Sequence, residues 1–322
     1  MILLLIIALA LVACELAYFR LASHYNIIDR PNRRSSHATV AYSGGGIVFY
    51  FAALAFFIVS GGEYPWFMLG LTLIAAISLL DDIRPLPIRL RIVVHFISVL
   101  LMFCQLGLIA LHPWWIGLIA MIICTGIINA YNFMDGIDGI TGAYSMAILI
   151  PLAIVNSEVS FIDPELIWIT AIAVLIFCFF NCSSKVRCFA GDVGSVSIAF
   201  ILLFMVGALI MATGEIWHLI FFAVYGADAT LTICHRLMLH ENIFEPHRKH
   251  AYQIMANEMK IPHMTVAGIY FALQFAISLG AIYLPIDKWL YFTAVIALLA
   301  AAYLTFMKKN YHLHQAYLNS LS

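Results

Sequence analysis

Residues 116–155 read IGLIAMIICTGIINAYNFMDGIDGITGAYSMAILIPLAIV. Two uncharged apolar runs flank a polar stretch, NAYNFMDGIDG at 129–139, whose only charges are Asp135 and Asp138. Runs of roughly 18 or more apolar residues read as membrane spans. The polar stretch therefore sits where one span ends and the next begins, and the same alternation recurs along the chain.

Composition agrees with that reading. Of 322 residues, 64% are hydrophobic and 10% charged, whereas a soluble domain has about 45–50% apolar and about 25% charged residues. The class is an all-α integral membrane protein, a single polytopic domain over residues 1–322 in contact with the lipid bilayer. The net charge of −1 gives no global field for nucleic acid, so no nucleic-acid partner is expected. The seven cysteines contain no metal-type CxxC pair, which excludes a disulfide framework or a zinc site read from spacing. MILLLIIALALVACELAYFR lacks a basic start and stays apolar past Cys14 to Phe19, so it is expected to be a retained first span.

Eleven spans are expected, near 2–21, 44–60, 65–80, 92–111, 114–130, 139–156, 165–181, 194–212, 216–234, 264–284 and 288–307. Alternate connections carry the basic residues: Arg30, Arg33 and Arg34; Arg84, Arg89 and Arg91; Lys185 and Arg187; Arg236, Arg248, Lys249 and Lys260. In the opposite connections Lys288 is the sole basic residue. By the positive-inside rule the first set is cytoplasmic. The cytoplasmic loops are then 22–43, 81–91, 131–138, 182–193 and 235–263, with the N-terminus periplasmic and the C-terminus cytoplasmic.

The polar clusters all fall on that cytoplasmic face. IIDRPNRRSSHATVAYSGGG (27–46) ends in a glycine triplet; it is either a phosphate-receiving helix start or an ordinary basic loop. Asp81 and Asp82 are adjacent carboxylates at the end of the third span, so a divalent cation or Arg84, Arg89 and Arg91 must offset their repulsion. Asn132, Asp135 and Asp138 recur at intervals of three and share one face if the backbone is helical. Gly136, Gly139 and Gly142 leave room for a ligand or for other backbone. Asp192, in FAGDVGS, either caps the next helix or ligates a metal. His247 and His250 bracket Arg248 and Lys249, a set suited to anions or to lipid headgroups. Hard oxygen ligands favour magnesium held by one or two carboxylates plus substrate phosphates. Acids that hold magnesium, together with cations that neutralise oxygens, are the equipment of phosphoryl transfer. A transporter or flippase using intramembrane acids as a proton relay is the alternative.

Asp81-Asp82, NFMDGIDG, FAGDVGS and HRKHAYQ, in this order and spacing, resemble the polyprenyl-phosphate N-acetylhexosamine-1-phosphate transferases of glycosyltransferase family 4. The segment IFEPHRKHAYQ is most similar to the subgroup that initiates O-antigen or related surface glycans, and it lacks the consecutive histidines of the peptidoglycan translocase. The resemblance implies transfer of a sugar 1-phosphate from a UDP-sugar to undecaprenyl phosphate with release of UMP. It also implies magnesium, with manganese as the alternative ion, a bacterial inner membrane and a homodimer. It makes Asp192 the magnesium ligand, with Asn132 and Asp135 at the metal and diphosphate. Asp81 and Asp82 would lie beside the lipid phosphate. Gly136, Ile137, Asp138 and Phe189 would meet the uracil, and His247, Arg248 and His250 the diphosphate or sugar. Asn181 matches a family Asn, one residue further from Asp192 than the family pattern. Tyr42-Ser43 stand where the family has Pro-Arg.

Overall fold

A computed structural model describes residues 2–29, 40–183, 186–242, 245 and 247–319. Arg30, Arg33, Arg34 and Lys185, named above, lie outside the described residues, as do Asn32, Ser35, Ser36 and His37 of the quoted 27–46 segment. The helices are α1 (Ile2–His24), α2 (Ile47–Val59), α3 (Pro65–Ile83), α4 (Ile88–Leu106), the short α5 (Leu108–Leu111), α6 (Trp114–Met134), α7 (Ile140–Val159), α8 (Pro164–Asn181), α9 (Gly191–Thr213), α10 (Ala223–Met238), the single turn α11 (Ala251–Gln253), α12 (His263–Tyr283) and α13 (Lys288–Asn319). A two-residue antiparallel ladder joins β1 (Ile28–Asp29) to β2 (Ala41–Tyr42). Helices dominate because hydrocarbon offers no partner for backbone N–H and C=O groups, so each must be satisfied within its own segment.

Among the described residues, ten helical segments are long and apolar enough to cross a membrane. The eleventh expected span is present but shorter: α2 has 13 residues, about 20 Å at 1.5 Å per residue. Its expected start at 44 is lost to the glycine turn before it. The ninth span is not one continuous α-helix either. It begins as a 3-10 helix, Ile216–Phe222, before α10 takes over. The physical reason is a side chain inserted into the backbone ladder. Gln274 of α12 accepts from Val224 N–H at 3.1 Å and donates to Ile220 C=O at 3.0 Å. Its oxygen also accepts from the Tyr144 hydroxyl at 2.7 Å, and its nitrogen donates to Ser278 at 3.0 Å.

The centre of the bundle is α9, apolar on every face and buried from Val193 to Val206, as a helix without a polar stripe must be. It packs against α2, α3, α6 and α7. The last helix runs well past its apolar span to Asn319. Its extension is held by buried contacts: Tyr303 and Met307 pack with Ala251 and Ile254, and the buried His314 meets Glu258 at 3.1 Å.

Replacing Gln274 with Leu leaves the buried Val224 N–H without this acceptor. It also takes one partner each from the Ile220 C=O, which keeps Ala223 N–H, and the Tyr144 hydroxyl, which keeps Tyr225 N–H. The expected cost is on the order of 3 kcal/mol, read as a clear drop in the melting temperature of the detergent-purified protein. An unchanged melting temperature contradicts the role given to Gln274.

Candidate functional site

The first four N–H groups of any helix have no partner within it. At the start of α9 they point toward the end of α3. Asp82, in the last turn of α3, accepts from Asp192 N–H at 2.9 Å through one oxygen and from Val193 N–H at 3.0 Å through the other. The cap of α9 thus comes from another helix. This corrects one of the two readings of Asp192, which lies inside the first turn of α9 rather than at its cap. Its carboxylate instead accepts from Asn132 Nδ2 at 2.7 Å and stands 3.4 Å from Arg91. The Asp81–Asp82 repulsion is relieved by divergence, because Asp81 accepts from Leu86 N–H at 2.6 Å and pairs with Arg91 at 2.6 Å.

The stretch that opened the sequence reading is not helical throughout. Helix α6 ends at Met134, and Asp135 leaves it with ψ 53°. Asn132, Asp135 and Asp138 therefore do not share a helix face; a turn, rather than helical periodicity, brings them to one cavity. Gly139 closes that turn at φ 82°, in the left-handed region where a Cβ is disfavoured. Its N–H donates to Asn181 Oδ1 at 2.7 Å, while Asn181 Nδ2 donates to Cys188 C=O at 2.9 Å. Asn181 thus ties the turn to the strand-like segment before α9. Gly136 is required for a different reason: a Cβ there would stand 2.2 Å from the Tyr252 hydroxyl.

Within the turn, Asp135 accepts from the Thr141 hydroxyl at 2.5 Å. Its removal from bulk water, more than the charges of Asp192 and Asp138, pushes its carboxyl up to about 7 against that hydrogen bond. Asp138 pairs with His263 at the start of α12, 2.8 Å away.

Two cavities meet here. The smaller, about 280 Å³, is lined by Asp82, Asn132, Asp135, Gly136, Ile137, Asp138, Asn181, Phe189 and Asp192, together with Gln253 and neighbouring backbone. The larger, about 960 Å³, is a mainly apolar groove between α4, α6 and α10 that includes Arg91, His247 and His250. Asn132, Asp192 and Gln253 line both.

Asp81 and Arg248 line neither cavity. Arg248 turns to α13, 4.9 Å from the Tyr317 ring and 4.0 Å from Glu258. Lys249 and Arg236 both pair with Glu241. Burial, then the charges of His250, Arg236 and Lys249, hold His247 down at about 3, so its ring is neutral at physiological pH. The loop read as a cationic anion site spends most of its charge on itself. Gln253 and His263 are the site residues that the sequence reading left out, whereas Arg91, read there as one of three arginines that could offset Asp81 and Asp82, does pair with Asp81 and also lines the groove. Arg91 carried a signal: Ile88, Arg91, Ile92 and His95 line the groove at helical spacing along α4.

The donor set suits a hard cation. Asp82 and Asp81 have both oxygens engaged by protein donors at 3.0 Å or less. Asp192, held by Asn132 at one oxygen and only 3.4 Å from Arg91 at the other, and Asp135 are less tightly engaged and better placed to take an ion. Among the described residues no three His, Cys, Asp or Glu side chains form a ready metal site. Magnesium takes one or two carboxylates and completes its shell with water and substrate phosphates, which this pair fits.

The family model for glycosyl transferase family 4 matches residues 64–212, a range that includes Asp82, the Asn132–Asp138 turn and Asp192. The chain is 24% identical over 262 residues to an undecaprenyl-phosphate alpha-N-acetylglucosaminyl 1-phosphate transferase of Yersinia pestis, covering 73% of this chain and 71% of that protein. It is 24% identical over 289 residues to a probable undecaprenyl-phosphate N-acetylglucosaminyl 1-phosphate transferase of Bacillus subtilis, covering 82% and 79%. A phospho-N-acetylmuramoyl-pentapeptide-transferase of Thermotoga neapolitana is 37% identical over 84 residues, 26% of this chain and 27% of its own length.

The raised carboxyl of Asp135 makes stability depend on pH. Between the ordinary value of 3.8 and about 7, the folded chain keeps a proton that the unfolded chain has lost. Stability therefore falls as pH rises through that window, by up to ~1.4 kcal/mol per pH unit, and levels off above it. Asp135→Asn has no such proton. In EDTA, its melting temperature relative to the unsubstituted protein rises between pH 5 and pH 8; a constant difference contradicts the assignment.

Proposed function

We propose that the chain, whose residues 64–212 match the glycosyl transferase family 4 model, is a member of that family and transfers the sugar 1-phosphate of a UDP-linked N-acetylhexosamine to undecaprenyl phosphate. The observation that carries this reading is the junction of a polar cavity with an apolar groove at Asn132, Asp192 and Gln253. A nucleotide diphosphate sugar suits the polar cavity, with Asp138 and Phe189 toward the base. A polyprenyl chain suits the groove, with its phosphate near Arg91. Two anions must approach each other, and the groups that permit this stand where the cavities meet.

In the proposed reaction an oxygen of the lipid phosphate attacks the phosphorus that bears the sugar. The bond from that phosphorus to the bridging oxygen breaks, and UMP leaves with the bond's electron pair. A lipid phosphate monoester has a second pKa of about 6, so it is largely dianionic at neutral pH and needs no dedicated base. Asp82 accordingly serves α9 as a cap while it borders the cavity. Asp135 and Asp192 would hold magnesium, whose chemistry is to neutralise charge on the diphosphate. Arg91 adds a fixed positive charge, and positioning and charge stabilisation supply most of the rate in reactions of this class.

The transporter reading has less support. Asp228, an acid within the ninth span, has both oxygens held by hydrogen bonds from side chains and backbone. The asymmetry of basic residues supports a cytoplasmic site in a bacterial inner membrane, with the N-terminus outside. A role at the first membrane step of a surface glycan, and a homodimer, complete the proposal. The relatives' names make UDP-N-acetylglucosamine the first donor to test.

Purified protein given UDP-N-acetylglucosamine, undecaprenyl phosphate and magnesium is expected to release UMP, and excess EDTA to stop it. Asp192→Ala is expected to lower kcat by about 10²-fold or more. Arg91→Ala is expected to raise the KM for the lipid phosphate more than that for the donor. Full turnover in EDTA, or by Asp192→Ala, refutes the metal assignment. No UMP release across a panel of UDP-sugars refutes the reaction.

A further inference from the structure

Asp228 is a buried carboxylate without a role in the reaction just described. Asp228 lies on α10, 4% exposed, where an ionisable side chain in a membrane helix calls for a functional account. Its surroundings are built to hold an anion. Oδ1 accepts from Thr232 Oγ1 at 3.1 Å and from Ala251 N–H at 3.1 Å. Oδ2 accepts from Tyr270 Oη at 2.5 Å and from Tyr252 N–H at 3.4 Å. The fifth contact is His250 Nδ1, 3.3 Å from Oδ1.

A carboxylate so placed can only accept, so a hydrogen bond between the two needs the proton on Nδ1, while the same side chain also faces the Gln253 N–H in a capping box. The ring's other nitrogen is then the one it can offer elsewhere. His250 Nε2 is buried and finds no hydrogen-bond partner among the described residues. The residue is 2% exposed to bulk solvent, yet it lines the larger cavity together with Asn132, Asp192 and Gln253. A buried polar atom without a partner, on a side chain that lines the cavity where phosphates would meet, is an arrangement that a ligand completes.

We propose that Asp228 is a positioning residue that aims His250 at a substrate phosphate. Asp228 also caps the turn that carries His250, because Ala251 and Tyr252 are the first residues of α11 and the π-turn that follows it. One carboxylate thereby sets the backbone that bears the ring, the ring's orientation and the nitrogen presented to the cavity. With substrate bound, the imidazolium bridges two anions: Nδ1–H to Asp228 and Nε2–H to a phosphate oxygen. A carboxylate behind a ligating histidine fixes its ring in the same way at metal sites, where its loss costs about 10–100-fold. Here the ligand is a phosphate, and the inference rests on the reading of the site as a phosphoryl-transfer centre.

The test has a spectroscopic and a kinetic arm. Protein labelled with ¹⁵N-histidine, with His250 assigned by difference against His250→Gln, is examined with and without UMP and magnesium. A proton on Nδ1 in the free protein, and a shift of the Nε2 signal when UMP is added, are the expected results. An unprotonated Nδ1, or an Nε2 signal indifferent to UMP, overturns the proposal. This arm uses the unsubstituted fold, so it decides the matter even if an Asp228 variant does not fold.

In the kinetic arm, Asp228→Asn is expected to lower kcat about 10–100-fold with each KM within about threefold. The double variant Asp228→Asn/His250→Gln should be no worse than His250→Gln alone, because the two act as one unit. Near-normal turnover by Asp228→Asn, or losses that multiply in the double variant, overturn the proposal. Absence of UMP release from the unsubstituted protein would count against the reaction itself, while the tautomer of His250 would still be read from the spectra.

Discussion

Two helix starts in this protein are capped by carboxylates that belong to other helices, and the site depends on both. A helix N-terminus at a membrane surface needs acceptors for its free N–H groups, and an anion there is further favoured by the helix dipole. Asp82 supplies this for α9 and Asp228 for α11. Because each cap comes from a distant part of the chain, it is also a clamp. The end of α3 is fastened to the start of α9, and α10 is fastened to the loop that precedes α12. The two clamps hold the walls of the polar cavity and of the groove.

The trans-capping leaves the other carboxylates unspent. Asp192 does not have to close its own helix, so its side chain reaches Asn132 and the vicinity of Arg91. Asp135 sits where α6 stops and is desolvated enough that its proton is retained to about 7. Strained electrostatics of this sort is common where a ligand is expected, since an arriving cation relieves what burial imposes. The positive charges are distributed with equal economy. Glu241 and Glu258 occupy Lys249, Arg236 and Arg248, while Arg91, itself paired with Asp81 and close to Asp192, is the arginine that lines the groove among the described residues.

Much of this was legible from residue order. The apolar runs forecast the helices, since a span must satisfy its own backbone. Asn132, Asp135, Asp138, Phe189 and Asp192 were picked out as polar or aromatic residues at span ends, and they do line one cavity. Other features were not legible. Helical spacing of Asn132, Asp135 and Asp138 suggested a shared face, yet the backbone turns at Asp135 because Gly136 must pass close to Tyr252 and Gly139 needs a positive φ. The break between Ile220 and Val224 is invisible locally, because its cause is Gln274, some fifty residues away. The basic loop looked like an anion site because its acidic partners Glu241 and Glu258 flank it in sequence without announcing which cation each will take.

What residue order determined by itself was therefore the class of the molecule, the positions of most spans and the identity of the polar residues at their ends. These follow from local rules: hydropathy, backbone satisfaction in lipid, and the scarcity of charge. Only the tertiary structure decided which carboxylates are spent on backbone N–H groups and which remain open to a cation. That division depends on where α3 and α10 end in space relative to α9 and α11, and no local rule carries that distance.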